Sequence, residues 1–235
     1  MCAAAEPKSE DAKLAMSELE TGRAANPELA GPKLDAPKLD GPKLDAPKLD
    51  KPGAGLPFIE WAVAKYIVFP RRFKNSSKDK ALADFAEQSD KILKLARGLS
   101  SEQLIERRLI ARLQGLEDSS RYWSVAMTLD HLTIVGNMMC HAVVALSKGN
   151  NALKVVGTAE VKPGAAADAA RSLKDFEEMT ERFLLEVGKA NIDVRSKVTH
   201  PHPWFGPLNA YQWLVFAAPH ETIHRKQIEA IVALL

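Results

Sequence analysis

Cysteine is scarce in this chain. Only Cys2 and Cys140 occur among 235 residues, one near the start and one inside a predicted core helix. No disulfide framework and no cysteine-based metal site is expected, and a reducing compartment fits best. Long apolar runs are missing as well. None reaches 18 residues, so no transmembrane helix is predicted. Residues 1–20 lack the apolar stretch of a secretory leader and are rich in acid, which argues against a signal or transit peptide. A cytoplasmic location is the expectation. Charge of one sign is also missing: 32 Lys and Arg face 30 Asp and Glu, a formal net +2. That is too little to expect nucleic acid as a partner. There is no glycine-rich phosphate loop and no specific Ser-His-Asp set.

The first 54 residues also lack what a core needs. Residues 1–31 are Ala, Glu, Lys and Ser with few large apolar groups, a composition that predicts disorder. Residues 32–50 repeat a pentapeptide, PKLDA, PKLDG, PKLDA, PKLD. One Leu per five residues cannot build a core, and a proline in every unit disfavours helix. The repeat reads as an extended spacer, with a docking tract for a partner as the alternative. The expected organisation is a disordered tail over 1–54, an accessory apolar helix over 55–75 and a folded domain over 76–235. About 180 residues suffice for a sizeable core.

Residues 56–69, LPFIEWAVAKYIVF, are the first strongly apolar stretch, and Pro70-Arg71-Arg72 is expected to stop it. It is too short to span a bilayer. Packing against the main domain is the favoured reading. Contact with an anionic membrane surface through 56–74 is the alternative, because Arg71, Arg72, Lys74, Lys78 and Lys80 follow.

Four longer helices come next. Ser76 or Ser77 caps a helix over Lys78–Arg97 that Gly98 ends. A short turn follows at 100–108. A helix from about Ser124 to Lys148 carries Met127, His131, Ile134, Val135, Met138, Ala142 and Ala145 on one stripe. A third runs over Asp168–Lys189, and the last over Asn209–Leu235. With no convincing strands, the pattern predicts an all-α four-helix bundle.

His220 and His224 stand four residues apart on the last helix, about 40° around its axis. Their stripe also holds Trp213, Phe216, Ala217, Gln227 and Ile231, so it should face the core. With His131 they form a candidate three-histidine site. Three neutral imidazoles leave an open coordination position on a divalent ion, and imidazole suits Zn, Ni, Cu or Fe equally. The bland alternative is a set of satisfied core histidines. Cys140 and His141 lie off the His131 stripe. His200 and His202 flank Pro201 in a loop, where a turn role is expected. The run His220-Glu221-Thr222-Ile223-His224 also matches H-E-x-x-H, in which the acid is a general base. The downstream third ligand of a zinc protease is missing. Pro219 removes the bond to the Val215 carbonyl and should bend the helix beside His220.

Trp123-Ser124-Val125-Ala126 with Leu129-Asp130-His131-Leu132 resembles the start of the second helix of DinB-like proteins. His202-Pro203-Trp204-Phe205-Gly206-Pro207-Leu208, then Gln212-Trp213 and the His220–Ile228 stretch, resembles their last loop and helix. The likeness covers residues 100–235 well, 78–99 loosely and 1–77 not at all. It implies a four-helix bundle with a divalent metal (Zn, Ni, Fe or Mn) on His131, His220 and His224. It further implies a small-molecule substrate and, in some relatives, a transferase or isomerase reaction with a low-molecular-weight thiol. Such bundles often form homodimers, an assembly that the resemblance leaves open. A metal-water hydrolase with Glu221 as its catalytic base and a non-catalytic interaction module are the alternatives.

Overall fold

The computed structural model describes residues 47–165 and 167–235. The first 46 residues of the expected tail, with the first three copies of the repeat, lie outside them. The last copy is tied to the folded domain. Asp50 N–H donates to Asp118 Oδ2 at 3.0 Å, and Gly53 and Gly55 N–H both donate to Glu117 Oε1, at 2.7 and 3.1 Å. Two positions of the expected tail, Asp50 at the end of the repeat and Gly53 just after it, therefore bond to the Glu117–Asp118 corner of the domain.

The accessory segment is helical from Phe58 to Lys74. Helix α1 (Phe58–Val63) passes through a π-turn at Ala64–Val68 into α2 (Phe69–Lys74). Pro70 does not stop it, contrary to the sequence expectation. The Phe69 N–H bonds the Ala64 carbonyl five residues back. The hydrogen-bond register is thus widened just before the residue that has no donor, and Pro70 falls in the first turn of α2, where a missing N–H costs least.

The bundle helices start and stop where their caps dictate. Ser77 Oγ accepts the Lys80 N–H at 3.2 Å and opens α3 (Lys78–Arg97), which Gly98 closes. Ser100 and Gln103 form a reciprocal capping box on the short α4 (Ser101–Ile105). Helix α5 (Val125–Ser147) is capped by Ser124, and α6 (Ala169–Lys189) by Asp168. A second capping box, Asn209 with Gln212, opens α7 (Ala210–Val232), which runs through Pro219 as one helix.

Helices α3, α5, α6 and α7 close a ring in which α3 packs on α6 and α7, and α5 packs on the same two. Helix α5 follows α3 across the diagonal, and α7 follows α6 across the other. Both diagonal crossings use antiparallel ribbons that the sequence reading missed. The ribbon β1 (Arg108–Leu109) with β2 (Tyr122–Trp123) precedes α5, and the ribbon β3 (Thr199–His202) with β4 (Gly206–Asn209) precedes α7. Each ribbon delivers the chain to the start of a helix that carries site histidines.

Fully buried Phe85, Ile92, Leu129, Leu132, Phe176, Met179, Phe183, Trp213, Leu214 and Ile228 fill the centre. Helix α5 is apolar and long enough to cross a membrane by length and composition, but most of it is buried among its neighbours. Its inward stripe is centred on Leu132, Val135, Met139 and Val143. Ile134, expected inside, is exposed. Packing on both α6 and α7 turns the buried arc away from it.

Candidate metal centre

Two helices and one loop build the site. Helix α5 presents His131 about two turns from its Ser124 cap. Helix α7 presents His220 and His224 one turn apart. One ligand nitrogen from each ring lies within 4.8 Å of the other two. His131 Nε2 and His220 Nε2 are 3.3 Å apart. The ring centroids of His224 stand 4.6 Å from those of both His131 and His220. His131 and His224 are buried and His220 is half-buried, so the cluster has one more open side. Pro219 leaves His220 in register with the other two rings.

The hydrogen bonds fix which nitrogens face one another. His131 Nδ1 lies 2.8 Å from the Val161 carbonyl oxygen. A carbonyl only accepts, so Nδ1 carries the proton and Nε2 keeps its lone pair. His224 Nδ1 lies 2.7 Å from Gln227 Oε1, and Gln227 Nε2 donates to the Ser120 carbonyl at 2.7 Å. That second bond orients the amide, so Gln227 Oε1 accepts the Nδ1 proton and His224 Nε2 also keeps its lone pair. Burial pulls the His131 pKa down to about 4, with the charge of Lys162 acting in the same direction. Burial also holds His220 and His224 well below the ordinary range, and the neighbouring rings add to it. All three imidazoles are therefore neutral at pH 7, the state a metal requires of them.

This donor set fits a divalent ion. Two nitrogens each about 2.0–2.1 Å from a tetrahedral zinc lie about 3.3 Å apart, as His131 and His220 do. Lone pairs facing at that distance repel unless a cation or a proton lies between them. The two Nδ1 protons held by Val161 and Gln227 are the partners that metal-binding histidines normally have.

Trp123 forms one wall, its ring centroid 5.3 Å from His131 and its plane parallel to His224 at 6.3 Å. Lys162 Nζ lies over that indole at 5.2 Å. The same ammonium donates to Ser119 Oγ and Ser120 Oγ and pairs with Glu117 at 2.7 Å. Lys162 follows the carbonyl that holds His131, and Ser120 supplies the carbonyl that holds Gln227. One buried ion pair thus braces both outer partners of the triad.

The remaining sequence candidates lie around this centre. Glu221 is buried beside His220 and outside the cluster. Its Oε2 has no partner among the described residues, and burial raises its pKa to about 8. His202 serves the turn: its Nδ1 accepts the N–H groups of Trp204 and Phe205 at 3.1 and 3.4 Å. The His200 carbonyl accepts the Trp213 indole N–H at 3.3 Å. Cys140 is buried elsewhere on α5, where burial pushes its thiol up, and His141 is exposed. Sequence reasoning did not find the roles of Gln227, Val161 and Lys162. Gln227 was legible as an i,i+3 partner of His224. A backbone carbonyl from a distant loop leaves no trace in the sequence.

No curated protein and no solved structure matches the chain. The family profile described as the DinB superfamily matches residues 84–228, more than half of the chain and all three histidines. The chain therefore belongs to the DinB superfamily.

Proposed function

We propose that the chain is a divalent-metal-dependent transferase that acts with a small thiol, with His131, His220 and His224 as the metal ligands. The observation that carries this reading is the convergence of three neutral imidazole nitrogens on one half-open spot, two of them with their Nδ1 protons already committed. A divalent ion held there would act as a Lewis acid and make a coordinated thiol or water acidic near neutral pH.

The chain's own residues do the rest. Val161 and Gln227 hold the rings of His131 and His224 in one tautomer and one orientation. Trp123 and the Lys162–Glu117 pair keep water from that side. His220, the least buried of the three rings, borders the side from which a small ligand would approach. The thiol is supported by the resemblance to thiol-dependent relatives, and the metal by the geometry.

A hydrolase using Glu221 as base is the second reading. It is favoured by a buried carboxyl with an unpartnered oxygen next to His220. Against it, a pKa near 8 keeps the proton on that carboxyl at neutral pH. Glu221→Gln separates the two, since the amide matches the neutral acid in shape. A transferase keeps its turnover in this variant and a hydrolase loses it.

Metal content of untagged protein, measured by mass spectrometry beside His131→Ala and His224→Ala, tests the centre itself. Near-stoichiometric metal lost in both variants is the expected result. Protein that takes up no Zn²⁺, Ni²⁺, Mn²⁺ or Fe²⁺ and gains no thermal stability from any of them would overturn it. Loss of cysteine or glutathione in the presence of a panel of electrophiles then tests the thiol reaction. Deleting residues 1–46, which leaves the Asp50, Gly53 and Gly55 bonds in place, distinguishes a non-catalytic module, which would lose a partner where an enzyme keeps its turnover.

A further inference from the structure

The helical segment Phe58–Lys74 has two apolar faces, and the bundle covers only one. On the covered face, the Trp61 indole N–H donates to the Trp204 carbonyl at 2.7 Å. Phe69 is buried against Phe205 and Phe216, with centroids 4.8 and 5.2 Å away. Glu60 accepts from the Gly115 N–H and from Arg112, and Tyr211 Oη donates to the Phe73 and Ser76 carbonyls. These contacts fix the rotation of the segment. They leave Phe58, Ile59, Val63, Tyr66, Ile67 and Val68 turned outward, with Phe58 75%, Ile59 77% and Tyr66 63% exposed. Isolated exposed apolar residues need no explanation. Six on one short helical segment form a patch on the order of several hundred Å², the size that marks an interaction site.

The rim of this patch is cationic. From Lys65 to Lys80 the chain has six basic residues (Lys65, Arg71, Arg72, Lys74, Lys78, Lys80) and one acid, Asp79. Lys78 is used by the bundle, where Nζ donates to the Gly188 and Ala190 carbonyls at 2.7 Å. Lys65 lies over the Trp61 and Tyr66 rings at 4.9 and 5.6 Å, its stem on apolar surface and its charge at the edge. Apolar and cationic groups meet in one open cleft of about 450 Å³, lined by Ile67, Val68, Arg71, Arg72, Lys80 and Asp84 among others. Asp84 is the one carboxylate in that lining, and Lys80 at 2.9 Å and Arg72 at 3.6 Å already share it.

We infer that this face docks on an anionic phospholipid membrane surface. The outward apolar side chains enter the headgroup–acyl boundary, and Arg71, Arg72 and Lys74 meet phosphate and other anionic headgroup oxygens. Both halves of the patch are then used: hydrocarbon covers the apolar face, and the negative surface neutralises the rim. A second copy of the chain fits less well. A two-fold contact would press one cationic rim against its twin, and like charges facing each other are costly. A soluble anion would leave the apolar face in water.

Flotation of the full-length protein with phosphatidylcholine vesicles, with and without phosphatidylglycerol, tests this. The protein should float with the anionic vesicles alone, and added salt should release it. Arg71→Glu/Lys74→Glu should weaken the apparent partition by at least about tenfold, and Ile59→Ser/Tyr66→Ser should abolish it. All four positions are exposed, so melting curves of both variants should match that of the parent. Failure of the parent protein to float with anionic vesicles overturns the inference, as does equal flotation by both variants. A dimer seen by equilibrium sedimentation and dissolved by Ile59→Ser/Tyr66→Ser would give the face to a second copy instead.

Discussion

Gln227 touches neither open coordination space nor solvent, yet it decides how His224 points. Its Oε1 takes the His224 Nδ1 proton, and its own amide is held the right way round by the Ser120 carbonyl. Gln227→Leu keeps the volume and removes both bonds. The His224 ring then loses its preferred tautomer, and the Ser120 carbonyl loses the Gln227 amide as a partner. Partners of this kind are worth ten- to a hundredfold in metal affinity, so Gln227→Leu should weaken binding by about that factor. Competition with a chromogenic chelator measures it. Gln227→Glu offers a control, since its carboxylate still accepts the Nδ1 proton and should retain more affinity than leucine does.

At the scale of elements, α5 and α6 approach closely at Gly136. A methyl group on Gly136 would overlap the Met179 Sδ atom, and Met179 is fully buried. Gly136→Ala should therefore cost about 1–3 kcal/mol through overpacking, despite alanine's better helix propensity. Urea unfolding reads this directly. Combined with Met179→Ala, the total loss should be smaller than the sum of the two single losses, because the new methyl occupies space that the thioether gives up. The start of α7 gives a second test. Asn209 Oδ1 caps the Gln212 N–H at 2.9 Å, and its Nδ2 donates to the Val194 and Ser196 carbonyls. Asn209→Ala should cost about 1–2 kcal/mol, read from the same urea curves.

These caps explain why so much of the bundle was legible. Ser77, Ser124, Asp168 and Asn209 are local signals, and the helices they open begin within a residue of where the sequence placed them. The triad was legible for the same reason, from an i,i+4 pair, an inward stripe and two family motifs. The ribbons β1–β2 and β3–β4 were not, because strands of two to four residues have no periodicity to read. The helix through Pro70 was missed because the π-turn is a choice of backbone register that side chains do not announce. The Gln227–Ser120 and His131–Val161 contacts join residues 107 and 30 positions apart, and only the packed fold brings them together.

For the whole molecule, acid should act through two separable losses. The pKa of His202 is pulled from 6.5 to about 3 by burial, so the unfolded chain binds that proton first. Stability tied to His202 is present above pH 6.5 and falls as the pH drops toward 3. His131, at about 4, and His220 and His224, which burial also holds low, act in the same direction. Glu117 differs. Burial alone would raise its pKa, but hydrogen bonds from Lys162, Ser119 and Gly55, with the Lys162 charge, bring it below 4.5. Its contribution is therefore intact above about pH 4.5 and lost below it. Protonating Glu117 removes the carboxylate partner of the half-buried Lys162 ammonium as well as weakening the hold on the Gly53 and Gly55 backbone. Melting of chelator-treated protein between pH 7 and 3 should show a shallow fall that steepens below about 4.5. His202→Asn, which retains an acceptor for the turn, should reduce the slope of the upper part by the share of one proton, with His131, His220 and His224 supplying the rest. Glu117→Gln should lower stability at pH 7 and remove the steep lower part. A parent curve that stays flat down to pH 4 would show that His131, His202, His220 and His224 all titrate as they do in the unfolded chain.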